Sequence, residues 1–230
     1  MTDLRTSPAG EMFSERARRY AAERPLYPIH VLEAGCGWGP GLDLGDLDHR
    51  VTGVELDVPG LREHARSRDD LGARHLGDLR TVPMPPRAYD IVHAPYLVER
   101  VPHAELVLDR FVAALKPGGL LLLRLRDRDS AYGVLDRTLP LRSPVDAAAP
   151  PPASHYDRVA SRRGMQWYCV MRGLVIAEEH LSHDAQSAVS PVTRALCRTL
   201  AAASRNRFSA AHSDVALIIR KPENRFARVI

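Results

Sequence analysis

Two hydrophobic periods share this chain. Strand-length apolar runs recur at residues 29–33, 51–56, 75–79, 90–93, 119–125, 174–179 and 214–220, several of them rich in the β-branched residues that suit a pleated surface. Between most of them the spacing becomes helical. Met12, Phe13, Ala17 and Tyr20 mark a first helix, ended by Pro25 and Pro28; Leu61, Ala65 and Arg68 mark a second over 59–71. Leu106, Val107, Phe111, Ala114 and Leu115 mark a third, closed by Lys116 and the Pro117-Gly118-Gly119 stop. A fourth runs over 159–172, with Met165, Tyr168, Cys169 and Arg172 turn-spaced and Gly173 as its cap. The last, over 190–204, has Ser190 as N-cap and Pro191 in its first turn. Strands and helices in this alternation predict an α/β fold with a mostly parallel sheet.

The pattern breaks down over 126–156, where Pro140, Pro144, Pro150, Pro151 and Pro152 fall and only 130–139 reads as a short helix. A long irregular stretch in a compact domain is a functional cover or a disordered segment. Disorder is expected around 147–153.

Composition narrows the class without naming a function. A chain of 230 residues, 45% hydrophobic, is long enough for one globular domain with a sizeable core. Its net charge of +4 is mild, and Lys116 and Lys221 are the only lysines. The arginines are spread along the whole length, the pattern of a solvated surface, so a nucleic-acid partner is not expected. Cys36, Cys169 and Cys197 contain no C-x-x-C, which fits a reducing compartment and offers no metal or disulfide framework. No leading apolar segment and no apolar run near ~18 residues occurs, so a cytoplasmic protein with no membrane contact is expected.

The first strand runs straight into a glycine-rich turn, Glu33-Ala34-Gly35-Cys36-Gly37-Trp38-Gly39, and a helix start is expected to follow. Glycine permits positive φ and close approach of a ligand to the main chain. A dinucleotide fingerprint would place a third glycine where Pro40 stands. Glu33, two residues before the first glycine, would repel a pyrophosphate but suits a cationic ligand. That contrast favours an ammonium- or sulfonium-bearing cofactor over NAD.

The order E-x-G-C-G-W-G, then a second strand ending in an acid, then Asp78-Leu79 after a third strand, then Lys116-Pro117-Gly118-Gly119, resembles the class I S-adenosylmethionine (SAM) dependent methyltransferases. The similarity runs over about residues 31–125. It implies a Rossmann-like seven-stranded, mostly parallel sheet with helices on both faces and the last strand antiparallel. It also implies one domain over 1–230, with residues 1–28 as a helical lid and 126–157 as the substrate cover. Without the resemblance, the first helix reads equally as an amphipathic element on the sheet edge, with Tyr20 and Tyr27 its aromatic residues to follow.

The implied cofactor is SAM, with S-adenosyl-L-homocysteine (SAH) as product. Its expected contacts are Glu33, Gly35, Cys36, Gly37, Glu55, Leu56, Asp78, Leu79 and His93. Glu55, about twenty residues after Gly35, would accept the ribose hydroxyls; Asp57 competes with it, and a solvated strand end is the plain alternative. Gly77-Asp78-Leu79 resembles the adenine-reading segment, although Gly-Asp alone is a turn signal.

Methyl transfer needs alignment and exclusion of water more than a strong catalytic motif. His93, Tyr96 and His155 are the catalytic candidates, His93 equally a cofactor contact or a packed ring. Glu99 and His103 lie nearby, Glu99 read as a structural helix-start acid. The expected activity is transfer to O, N or C of a small-molecule acceptor by a monomer or homodimer. Three alternatives remain. His93-Ala94-Pro95-Tyr96 stands where nucleobase and protein amine N-methyltransferases carry N-P-P-Y or D-P-P-Y, with histidine and alanine breaking two of the four positions. An NAD(P)-dependent oxidoreductase would use a related sheet, and a non-enzymatic binding or scaffold module would keep the fold with a dead pocket.

Overall fold

The computed structural model describes residues 8–36, 41–138, 155–187, 190–205 and 207–223. Helix α1 (Pro8–Ala22) precedes β1 (Ile29–Ala34) and β2 (His49–Glu55); α2 (Pro59–Ser67), β3 (Leu71–Leu76), β4 (Tyr89–Pro95), α3 (Ala104–Ala114) and β5 (Leu115–Arg126) follow. The second half comprises α4 (Ala131–Thr138), α5 (Arg162–Arg172), β6 (Val175–Ser182), the short α6 (Asp184–Ser187), α7 (Pro191–Ala203) and β7 (Asp214–Arg220).

The strands form one sheet in the order β3-β2-β1-β4-β5-β7-β6. Strands β1 to β5 pair in parallel, and β7 runs antiparallel to both of its neighbours. The seven-stranded sheet with an antiparallel last strand is therefore as the sequence implied. Strand order reverses between β1 and β4, and such a reversal opens a crevice at the carboxyl ends of the strands.

Strand β4 is buried along its whole length because it has neighbours and helices on all sides. Alternate side chains then divide between two cores. Leu32, Ala34, Val92, Ala94, Leu121 and Leu123 pack with Phe111 of α3 and with Met165 and Tyr168 of α5. Ile29, Val31, Ile91, Leu120 and Leu122 pack on the other face with Phe13, Ala17 and Tyr20 of α1. Helix α1 lies on the sheet through this stripe, and the Phe13 ring meets His93 edge-on at 5.7 Å. A smaller core of Tyr132, Ala131, Ala185 and Cys197 joins α4, α6 and α7. The caps read from sequence are in place: Ser190 Oγ accepts from Thr193 N–H, and Gly173 closes α5 at φ 62°. Among the described residues no helix is long and apolar enough to cross a membrane.

Three local expectations are corrected. Strand β3 begins at Leu71 rather than 75, because at the sheet edge only Leu71 is buried and no alternation marks the rest. The K-P-G-G segment lies inside β5, bent at Gly118 (φ 79°), and Lys116 pairs with Asp90 at 2.7 Å. No helix forms over 41–48: Gly41 and Gly45 take φ of 78° and 57°, and Asp43 Oδ1 accepts the Gly45 N–H at 3.1 Å, an Asx turn. Leu42, Leu44 and Leu47 cover that face of the sheet in place of a crossover helix. Gly37, Trp38, Gly39, Pro40 and the 139–154 part of the insert, with its expected disorder, lie outside the described residues.

Phe13 is fully buried and holds α1 over the rim of β4. Phe13→Ala should lower unfolding free energy by about 3–5 kcal/mol, the usual range for emptying an aromatic core position, measured by urea titration.

Candidate active site

The carboxyl ends of β3, β2, β1 and β4 lie side by side, and the expected cofactor residues fall along this rim. Gly35 takes φ 81° immediately after β1, a left-handed position where a side chain would be strained, and its N–H donates to Val54 O at 2.9 Å. Across the next pair, Glu55 faces Leu76 in register, and Gly77 N–H donates to Glu55 O at 2.9 Å. Glu33, Gly35, Cys36, Glu55, Leu56 and the Gly77–Leu79 turn thus follow one another across the rim. Gly37 lies outside the described residues.

The side chains there are engaged by the protein's own donors. Glu33, 2% exposed, lies with Oε1 3.3 Å from His93 Nδ1 and 3.8 Å from Arg68 Nη1. Glu55 is fully buried, not a solvated strand end, and Leu56 N–H donates to its Oε1 at 2.8 Å. Asp78 accepts from Arg80 N–H and from Arg80 Nε and Nη2 at 2.6–2.9 Å. These bonds hold its carboxyl at about 2. Leu79 is a core residue whose carbonyl accepts from Arg110 Nη1 at 2.6 Å. Burial, with Glu55 and Glu33 close by, pushes the Cys36 thiol up to about 12, so it stays protonated and unreactive. Asp57 is turned to the surface on Arg62 at 2.7 Å.

Arg68 is the residue that sequence reasoning misplaced. It looked like a turn-spaced member of α2, yet the helix ends at Ser67 and Arg68 is extended (φ −84°, ψ 102°), with its side chain 8% exposed beneath the glycine turn. A cleft of about 170 Å³, lined by Glu33, Leu42, Asp43, His49, Val51 and Asp70, opens beside it. That volume is below the roughly 300–1,000 Å³ of small-molecule sites.

The other half of the rim, beyond β4, is built from arginines. Tyr96 follows β4 at φ 53°, a costly conformation for a non-glycine residue, and its N–H donates to Arg124 O at 2.6 Å. The guanidinium carbons of Arg124 and Arg126 lie 4.8 and 5.7 Å from the centre of its ring. Both arginines are 3% exposed. Arg124 pairs with Asp184, and Arg126 Nη1 lies 3.7 Å from Asp136. Tyr156 O–H donates to the same Asp136 at 2.6 Å. The i, i+2 spacing of two arginines in an apolar strand was the legible signal for this cluster.

Of the catalytic candidates, Tyr96 sits inside this cluster and His93 sits under α1 against Glu33 and Phe13. The His155 side chain is exposed; its backbone N–H, with that of Tyr156, donates to Glu99 O at 2.9 and 3.1 Å. Glu99 thereby ties the chain returning from the insert to the end of β4. His103 caps α3 from a left-handed conformation. Among the described residues no group of three or more His, Cys, Asp or Glu is placed to hold a metal ion.

The chain matches the methyltransferase domain family over residues 9–188 and belongs to it, within the class I SAM-dependent methyltransferases. It is 37% identical over 101 residues to a protein of Mycolicibacterium smegmatis named a probable S-adenosylmethionine-dependent methyltransferase, covering 43% of this chain and 38% of that one. It is 29% identical over 171 residues to trans-aconitate 2-methyltransferase of Rhodopseudomonas palustris, covering 67% and 62%. The chain thus spans less than two thirds of either relative's length. In fold it resembles the N-methyltransferase NodS of Bradyrhizobium japonicum, solved with SAH, at a TM-score of 0.55 and 13% identity over 96% of this chain and 91% of that one.

Glu99 generates a prediction of its own. Burial pushes its carboxyl up to about 7 against the opposing pull of Arg100 and Arg126, and Oε2 has no hydrogen-bond partner among the described residues. The native state binds this proton more tightly than the unfolded chain, so the group favours folding most below its unfolded value of 4.5. That contribution is lost as pH rises to about 7. Glu99→Gln should remove the corresponding fall in Tm across this window, read by thermal unfolding at stepped pH. An identical pH profile in the variant would refute a protonated Glu99.

Proposed function

We propose that this chain transfers a methyl group from SAM to an oxygen of a small, acidic metabolite. The observation that carries the acceptor half is the pair of buried guanidinium groups flanking Tyr96 at the end of β4 and β5. A guanidinium offers a planar fork matched to a carboxylate, and burying it is costly unless negative charge answers it. Asp184 and Asp136 pair with the two groups, and both guanidinium groups also act on the buried Asp214. The trans-aconitate relative acts, by its name, on a carboxylic acid, which supports the same chemistry.

The rim suits the cofactor by the chemistry of its acceptors. Glu55 would take the ribose hydroxyls, Asp78 the adenine amine, and the Cys36 amide the carboxylate end, with Leu56 and Leu79 completing the wall. Bound there, SAM supplies a methyl group already activated on a sulfonium. The Leu56 N–H and Arg80 donors that now hold Glu55 and Asp78 keep both acids oriented, and the Arg80 bonds favour the ionised form of Asp78. An acceptor that arrives as a carboxylate has no proton to lose, so no base is required of it. Tyr96, Arg124 and Arg126 then have the task of orienting the acceptor and excluding water.

His93 does not favour the amine or nucleobase reading. Its ring is turned beneath α1 rather than toward the end of β4 where Tyr96 stands.

Two measurements test the proposal. SAH should bind in calorimetric titration, and Glu55→Ala or Asp78→Ala should weaken it about tenfold or more, about 1.4 kcal/mol; unchanged affinity in both variants would remove this cofactor map. Incubation with methyl-labelled SAM and a panel of small di- and tricarboxylic acids, phenols and amines should label the acids as alkali-labile esters. Labelling confined to amines would overturn the acceptor assignment.

A further inference from the structure

Of the two buried guanidinium groups beside Tyr96, one is held by an enclosed acid and the other by an accessible one. Arg126 Nη1 lies 3.7 Å from Asp136, whose side chain is 4% exposed and also accepts from the Tyr156 hydroxyl at 2.6 Å. Arg124 Nη2 donates to Asp184 Oδ2, and here the exposures are unequal, 4% for the arginine side chain and 43% for the aspartate. A guanidinium shut away from water is thus paired with a carboxylate that water reaches.

The Asp184 side chain is separable from the segment that carries it. Ser182 Oγ donates to its Oδ2 at 3.1 Å, across the surface. The backbone that follows is anchored on its own: Ala185 N–H donates to Asp214 Oδ2 at 2.8 Å and Gln186 N–H to Ser213 Oγ at 3.2 Å. Rotation about the side-chain bonds of Asp184 therefore releases Arg124 without unmaking those backbone bonds. Arg124 is not stranded by this, since it also acts on the buried Asp214 and faces the Tyr96 ring at 4.8 Å. Asp184 bears on the same ring. Burial, with Asp214 and Asp184 close by, pushes the Tyr96 hydroxyl well above its ordinary range against the pull of Arg124 and Arg126.

We propose that Asp184 is an internal stand-in for the acceptor, its carboxylate occupying Arg124 until a carboxylate of the acceptor takes the same place. The inference rests on the acid-acceptor reading and supplies what that reading needs, a way for an anion to enter where the arginines are already paired. Asp184 then acts as a specificity-determining residue in two respects. It lowers the affinity for every acid by the fraction of molecules in which Arg124 is open. It also rejects neutral competitors, because an amide or alcohol that displaced it would leave a buried guanidinium with less charge to answer it.

The test uses the full chain saturated with SAH, succinate as probe, and succinamide, the same skeleton without charge, as control. Asp184→Asn and Asp184→Ala should each bind succinate about fivefold or more tighter than wild type in calorimetry, because the competing carboxylate is gone. Succinamide affinity should stay as in wild type. Both variants should melt below wild type and regain more on adding succinate than wild type gains. With methyl-labelled SAM, both should show a lower KM for the acids that wild type labels. Variants that melt lower but bind succinate no better would make the Asp184 pair purely structural; if acids are still labelled, the acceptor reading stands and only this inference falls. Equal gains for succinate and succinamide would also overturn it, since space and not charge would then have been freed. Labelling confined to amines would remove the acceptor reading and this inference with it.

Discussion

A carboxylate at the end of β1 imposes the first constraint on everything around it. Glu33 is 2% exposed, and a buried carboxylate is tolerated only with compensating charge or donors. Arg68 from beneath and His93 from β4 supply the polar surroundings, and Phe13 of α1 seals the ring of His93 from outside. Three elements distant in sequence are thereby fixed relative to the glycine turn. In the structure this acid faces the chain's own guanidinium, held on Asp70.

Beyond β4 the buried charges are more numerous and include three arginines. Glu33, Glu55 and Arg68 are buried on the β1–β3 side, while Arg100, Arg124 and Arg126 are buried on the other together with Glu99, Asp127, Asp136 and Asp214. Their balance depends on groups brought from far along the chain, Asp136 from α4 and Asp184 from α6. The strand–helix–strand ending, with α6 and α7 between β6 and β7, carries one of those acids to the rim. The short core of Tyr132, Ala185 and Cys197 holds that addition in place.

The sheet was legible because its signals are local and repeated. Buried parallel strands leave continuous apolar runs, as in 119–125, and caps such as Ser190-Pro191 and Gly173 state their own geometry. Strand β3 began earlier than expected because an edge strand with one buried side chain has no pattern to read. The missing helix after the turn was hidden by the resemblance itself, although Gly41, Asp43 and Gly45 were turn residues in plain view. Side-chain partnerships were the least legible part. Nothing in the spacing of Arg68 distinguishes a solvated helix residue from a fork under a turn, since the distinction is made by Cys36, 32 residues earlier. For Arg124 and Arg126 the signal was present, charge on the inward face of an apolar strand, but its meaning required Tyr96 beside it.

The buried charge along the rim bears on the proposed chemistry. When a cationic methyl donor and an anionic acceptor meet, both charges disappear as the methyl moves, so the reacting pair is less polar after the step than before it. Water opposes such a change by stabilising the separated charges, whereas a closed, low-dielectric site opposes it less. Each charge must still be drawn into that site, which is the task of fixed groups of opposite sign held apart by the protein. Glu33 and Glu55 on the β1–β2 side and the guanidinium groups of Arg124 and Arg126 beside Tyr96 are fixed groups of that kind. The left-handed backbone at Tyr96 is then understandable as the strain of keeping an aromatic ring beside those guanidinium groups.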